Sequence, residues 1–483
     1  MTPSTKGASL VRRALVCAPL FAALLSGCAT HESETASMRS AWYAGNTQAA
    51  QARVVPLANE SGPTDELVWL LEEGAVTRAN NDLNLSISTF ERANSKIQKF
   101  DSEPSTSVSN ETAGVLLNQS YETYRGYNYD KIMSAVYQAL NYMEAGNYEM
   151  AAVYLKRLEF YQQDAERLNA ERIAAEAEEI RKANERKGGG SYNVDKTLAN
   201  PGVKAGLEKY YGADFMNGVP AAEARALYVN PFAYWLAGLF FANKYEDAAD
   251  RERAATFFRL AYESGGKASH VIASDMQMAE DLANGKIANF GNVTYVIFES
   301  GSAPIRKQFR LDLPLFIFSK DIPYVGVNFP YLQPIESYTP YLRVEGGGVA
   351  VNTEKIADMD DIIRREFNDR LPGVILKTVL SSAIKAGAQY AAQQAVDGDW
   401  KILVAIGGSI FQGLLNDADL RTWTTLPKQI SIAKLDTPVD GIIRINGSEI
   451  KVDTAGTNVI LVKQMTAGGA LIIRTFNFNN SRR

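Results

Sequence analysis

Few residues in this chain have the types and spacing that do chemistry. Among 483 residues there are two cysteines and two histidines. Cys28, in Leu24-Leu25-Ser26-Gly27-Cys28-Ala29-Thr30, could be a core thiol, a redox or metal ligand, or a point of covalent attachment. His270 lies in the helical stretch Ala268-Ser269-His270-Val271, and a Ser-His-Asp arrangement would have to use it. No Gly-x-Ser-x-Gly turn is there to present a serine. Three-histidine metal centres and zinc-protease helices are excluded by count, since His31 is the only other imidazole. Carboxylates are paired at Asp360-Asp361 and crowded at Glu171, Glu176, Glu178 and Glu179. Helical carboxylates are mostly solvated, and spacing alone does not select a glycosidase pair. Gly188 to Gly190 have no strand before them and no Gly-Lys-Ser/Thr after them. Gly346 to Gly348 lack the lysine and following helix of a phosphate loop. The expectation is a protein that is not an enzyme and uses no cofactor and no metal.

The residues upstream of Cys28 favour attachment. Lys6, Arg12 and Arg13 precede an apolar run from Ala14 to Leu25 that includes Cys17. The run is shorter than the roughly 20 residues needed to cross a bilayer. A positive head, a short apolar run and small residues read as a secretory signal over 1–27. Leu25-Ser26-Gly27-Cys28 resembles the lipobox of bacterial lipoproteins. That resemblance implies a diacylglyceryl group on the Cys28 sulfur, cleavage before it and acylation of the new N-terminus, which anchors firmly. Ala29, where inner-membrane lipoproteins often carry aspartate, implies the outer membrane, with the chain facing the periplasm.

Cleavage would remove three cations and no anion, taking the formal charge from −5 to −8. A mildly acidic chain without a long basic run excludes a nucleic-acid footprint. One remaining, acylated cysteine excludes disulfides and cysteine-based clusters within the chain. The length after cleavage implies two to four domains. We expect boundaries at 28–193, 194–290 and 291–483.

The elements ahead of residue 290 recur in pairs. Gly45-Asn46 is followed by Ala50, Val54 and Leu57. Asn81 is followed by Ser86, Phe90 and Ala93. Gly146-Asn147-Tyr148 is followed by Ala151 and Leu155. Asn243-Lys244-Tyr245 is followed, after a longer turn at 246–253, by Ala254, Phe258 and Ala261. The spacing is similar to that of degenerate tetratricopeptide repeats, in which a small residue lets antiparallel helices approach and a larger one fills the groove. A polar loop at 102–110 and a charged helix at 162–193, ending in three glycines as cap and linker, interrupt the array.

Beyond Gly291 the period becomes that of strands. Asn292–Ser300 and Lys307–Phe318 are β-branched and aromatic, with Phe309, Leu311 and Leu313 expected inward and Arg310 and Asp312 outward. Asn446-Gly447 signals a hairpin, and Thr466-Ala467-Gly468-Gly469 a second one, so the tail reads as a four-stranded meander. Helix returns at 358–396 and 400–420, a hairpin inserted at about 355–420. Residues 402–415 are apolar and glycine-rich but too short to span a membrane. The fold class expected is α+β: an N-terminal α-helical TPR-like solenoid, then a mainly antiparallel β domain with an inserted helical hairpin.

The block Asp417–Leu435 carries a further resemblance. Asp419, Arg421, Trp423, Leu426 and Pro427 resemble the Asp-x-Arg-x-Trp-x-x-Leu-Pro signature of an uncharacterised family of bacterial lipoproteins with tetratricopeptide-like helices ahead of a β-containing part. Blocks at Leu140–Arg157, Pro231–Ala248 and Val296–Phe309 are similar to that family as well. The resemblance implies work in the cell envelope. Asp419, Arg421, Trp423 and Pro427 are the candidate corner. On a structural reading Asp417 and Asp419 end a helix, Pro427 forbids its continuation, and Trp423 fills the gap between helical hairpin and sheet. The functional expectation is a membrane-anchored scaffold that holds an envelope protein partner on the concave face of its repeats. The alternative is a cell-wall hydrolase or carbohydrate-binding lipoprotein with its site in the β domain. A homo-oligomer stabilised by the repeats is a third possibility.

Overall fold

The computed structural model describes residues 31–103, 122–185, 194–217, 229–314, 324–394 and 418–478. Among the described residues four helix pairs come first: α1 (His31–Tyr43) with α2 (Thr47–Glu60), α3 (Glu66–Ala79) with α4 (Leu83–Ser102), α5 (Asn128–Glu144) with α6 (Tyr148–Glu185), and, beyond the short α7 (Val194–Leu198) and α8 (Pro201–Tyr211), α9 (Pro231–Asn243) with α10 (Ala248–Glu263). Helix α11 (His270–Ala283) closes the array.

The repeated dipeptide at three of these turns has a mechanical cause. Gly45, Asn81 and Gly146 take positive φ (72°, 63° and 72°), which glycine and asparagine tolerate. The residue after each then donates back into the helix just ended: Asn46 to Ala41 O, Asp82 to Thr77 O, Asn147 to Tyr142 O. The same residue caps the next helix, with side-chain oxygens of Asn46, Asp82 and Asn147 accepting from the amides of Ala49, Leu85 and Met150. Two residues stop one helix and start another. The fourth turn uses Asp247 as cap for Asp250 N, so α10 begins at Ala248 and the expected long turn at 246–253 is mostly helix. Once the capping carboxylate accepts from the Asp250 amide, nothing in 248–253 opposes helix.

The small-to-large packing is direct. A Cβ on Gly74 of α3 would lie 2.7 Å from the Phe90 ring of α4, and one on Gly238 of α9 would lie 2.9 Å from the Phe258 ring of α10. Ala50, Val54, Ala93, Ala151, Leu155, Ala254 and Ala261 are fully buried, while Leu57 is half-buried.

The β portion comprises β1 (Val293–Ser300), β2 (Ile305–Pro314), β3 (Tyr324–Gln333), β4 (Arg343–Gly346), β5 (Val349–Asn352), β6 (Glu354–Asp358), β7 (Gln429–Asp436), β8 (Ile442–Ile445), β9 (Ser448–Lys451), β10 (Thr457–Gln464) and β11 (Ile472–Asn477), with α12 (Met359–Gln394) between β6 and β7. A five-stranded sheet runs β11-β10-β1-β7-β6, parallel only between β1 and β10. A four-stranded sheet runs β5-β4-β8-β9, and β2–β3 form a separate hairpin. Both tail hairpins form, the first through Asn446 and Gly447 at φ 48° and 81°, but they do not make a meander. One joins the four-stranded sheet and the other the five-stranded one, because β1 takes the place beside β10 that a meander would give to β9. Gly347 and Gly348 are the β4–β5 turn, both at positive φ. Of the expected helical hairpin, α12 is described and 400–417 lies outside the described residues. Residues 418–420 are neither helix nor strand.

Strand β1 is buried along its whole length, because its sheet is covered on both faces. Tyr295, Ile297, Ile430, Ile432, Val459 and Leu461 join the core of the helix pairs. Val296, Phe298, Ala433, Ile460 and Val462 pack against the four-stranded sheet. A third core joins α8, the β2–β3 hairpin and α12. There Phe309 and Leu313 are buried, Leu311 is half-buried, and Arg310 and Asp312 are exposed.

Candidate functional site

The first helix of the second, third and fourth pairs is enclosed and its companion is open, whereas α1 is buried only at His31, Thr35, Met38, Arg39, Ala41 and Trp42. Leu67 to Ala79 of α3, Ile132 to Met143 of α5 and Pro231 to Ala242 of α9 are buried without a break. Only Ala50, Val54 and Ala58 are buried on α2, and Ala254, Phe257, Phe258 and Ala261 on α10. The inner helices carry the outer ones on one side and the five-stranded sheet on the other. The concave face expected to hold a partner is therefore filled by the chain's own β portion. Polar side chains buried on these helices bond to the chain itself: Glu72 to Thr424 and Thr425, Asp130 to Tyr124 and Asn141 to Ser86.

The candidate corner sits in this seam. Trp423 is fully buried with its ring centroid 5.9 Å from Phe90 of α4 and 5.7 Å from Tyr137 of α5. It fills a gap between two helix pairs; of the helical hairpin expected beside it, 395–417 lies outside the described residues. Its indole N–H donates to Thr425 Oγ1 at 2.9 Å. Next to it Glu72 of α3, also fully buried, accepts from Thr424 N and Oγ1 (both 2.6 Å) on one oxygen and from Thr425 N (3.2 Å) and Oγ1 (2.6 Å) on the other. Burial pushes the Glu72 carboxyl upward, and the Thr424 and Thr425 donors oppose it.

Arg421 forks onto Asp419 at 2.8 and 3.0 Å and reaches Asp65 at 2.9 Å and the Glu122 carbonyl at 2.7 Å. Burial works against both charges. The pairing prevails, holding Asp419 below the usual carboxylate range and Arg421 above the usual guanidinium one. Pro427 is buried just ahead of β7. Asp417 and Cys28, with the rest of 1–30, lie outside the described residues. The other sequence candidates are dispersed. His31 is buried against Trp69, its Nε2 3.3 Å from Thr422 O, and burial pulls it down to about 4. His270 is 96% exposed, with Nδ1 3.3 Å from Glu354. Asp360 pairs with Lys428, and Asp361 with Arg364.

Sequence reasoning missed several buried polar groups that tie distant elements together. Asp275 of α11 accepts from Trp235 Nε1 (2.9 Å), Tyr295 OH (2.7 Å) and Lys434 Nζ (2.7 Å). Glu366 of α12 accepts from the amides of Asn128 and Tyr129 at the start of α5, where a carboxylate suits the helix dipole. A usable signal existed for one of them: Glu72-Glu73 inside the apolar run Leu67–Val76 is a carboxylate that needs partners. A second feature of the seam is a cleft between α3, α5 and strands β1, β10 and β11. A cavity of about 30 Å³ is lined there by Arg78, Tyr137, Glu299, Lys463 and Arg474 together with apolar residues. Lys463 Nζ is 2.6 Å from Glu299. Arg78 pairs with Glu144, and Arg474 Nε is 3.4 Å from the same carboxylate.

Neither a protein-family model nor a curated protein sequence matches the chain. Among solved structures, a tetratricopeptide repeat protein from Parabacteroides merdae is similar over 52% of this chain and 98% of that chain, at 14% identity and a TM-score of 0.13. That superposition is too loose to define a shared fold, and the repeat pattern of α1–α10 rests on the turns and helix contacts above.

Proposed function

We propose that the chain is a lipid-anchored envelope scaffold, held to the outer membrane through Cys28 and facing the periplasm, that contacts a protein partner with the outer surface of its helix pairs. The observation that carries this reading is the enclosure of α3, α5 and α9. With the inner face filled, the surface offered by the repeats is that of α2, α4, α10 and the length of α6. Helix α6 is 38 residues long, about 57 Å, and exposes Val153 and Phe160 one heptad apart on one side. Paired apolar residues on an exposed, charged helix suit a partner helix.

Photo-crosslinking in intact cells tests the reading. A crosslinker at Phe160 should trap one protein, and one at Val439, 98% exposed on the β side, should not. Trapping only at Val439 would move the binding role to the β portion and favour the cell-wall alternative. Cys28→Ala should abolish fatty-acid labelling and release the protein from membranes. A variant that still labels and sediments with membranes overturns the anchor.

A further inference from the structure

Charge is unevenly matched in the cleft between α3, α5 and β1–β10–β11. Three cations, Arg78, Lys463 and Arg474, face two carboxylates, Glu144 and Glu299. All five side chains are 15% exposed or less. Arg474 also donates to the carbonyl of Arg78, in the last turn of α3, and that helix end offsets roughly half a positive charge. A positive excess remains in a place where unpaired charge is costly. Burial accordingly draws Lys463 down, against Glu299, and Arg474 down to about 10 with Arg78 beside it.

We infer that this cleft is a binding site for a carboxylate group, held between the Arg474 guanidinium and Lys463. Size and donor chemistry converge on that ligand. The cavity of about 30 Å³ holds two or three water-sized positions at roughly 10–15 Å³ each, the bulk of a carboxylate. A guanidinium fork and an ammonium are the donors that match its two oxygens. The carboxylate belongs either to a small free acid or to the end of a peptide chain. The inference does not depend on the scaffold reading.

Thermal unfolding of the mature protein at pH 7 and fixed ionic strength is the test. Acetate replacing chloride should raise the melting temperature by about 2 °C at tenfold excess over its dissociation constant. Neutral acetamide should not. Arg474→Gln should abolish the shift and Arg474→Lys should keep part of it. Glu299→Gln, which removes a competing carboxylate, should enlarge the shift and serves if Arg474→Gln does not fold. N-acetyl-trialanine with a free C-terminus acting at lower concentration than acetate, with its amide inert, assigns the carboxylate to a peptide end; equal potency assigns it to a free acid. No shift with either acid, or an equal shift in wild type and Arg474→Gln, overturns the site.

Discussion

Two polar clusters lie in the same seam, between the inner helices and the β portion, and they are built differently. Around Glu72, four donors from Thr424 and Thr425 meet one buried carboxylate, and Trp423 closes the space between Phe90 and Tyr137. Around Arg474, three cations meet two carboxylates beside a cavity. The first arrangement leaves no room and no unmatched donor on the carboxylate; the second leaves both space and charge. The difference separates what holds the helices to the sheet from what can receive something else.

The comparison is sharpest at Trp423. Trp423→Ala should cost about 3–5 kcal/mol, read as the shift in denaturation midpoint, since the ring has nowhere to be replaced by water. Asp419→Asn should cost much less, because Arg421 keeps Asp65 and the Glu122 carbonyl. A stable but functionally dead Asp419→Asn protein would instead put a working site at this corner. Glu72→Ala strands four donors and should cost about 3 kcal/mol. Arg474→Gln should cost about 1 kcal/mol or less, because losing its bonds is offset by removing the excess charge. If Arg474→Gln proves as damaging as Glu72→Ala, the two clusters are alike and the distinction fails.

Acid should divide the clusters too. The His31 ring, against Thr422, has its folded pKa lowered to about 4 by burial, against about 6.5 when unfolded. Its contribution is complete above pH 6.5 and is lost as pH falls toward 4. His31→Gln should therefore flatten the decline of melting temperature between pH 6.5 and 4. An unchanged slope would remove His31 from the account. The smallest effect belongs outside the seam: Phe160→Asp should change stability by about 0.5 kcal/mol or less while abolishing the crosslink from a photo-reactive residue placed at Val153 on the same face.

The legible and illegible parts of the molecule follow from the range of the forces. Gly45-Asn46 and Gly146-Asn147 could be read because a turn is decided by its own φ angles and caps. Asn446-Gly447 could be read for the same reason. The burial of Phe90, Ala151 and Phe258 followed from spacing within one helix pair. The filling of the concave face could not be read this way. It depends on β1 choosing β10, far along the chain, in place of the neighbouring hairpin, and on the run Thr422–Thr425 meeting Glu72. Arg421 pairing with Asp419 was within reach because they are two residues apart; Asp65 and Glu122 were not. The cleft was invisible because Arg78, Glu299, Lys463 and Arg474 come from four separate elements.

The parallel register of β1 and β10 also sets an order of events. Val293 pairs with Thr457 and Val293 with Asp436 across long intervening stretches, so the central sheet closes only after the last quarter of the chain has emerged. Loop closure grows more costly with length and slows folding. Until then Leu67–Ala79 and Pro231–Ala242 stand with an apolar side facing water, the condition under which nascent chains aggregate. A chain stopped before Thr457 would thus lose more than two strands; it would leave the helix pairs without the surface they are built to cover.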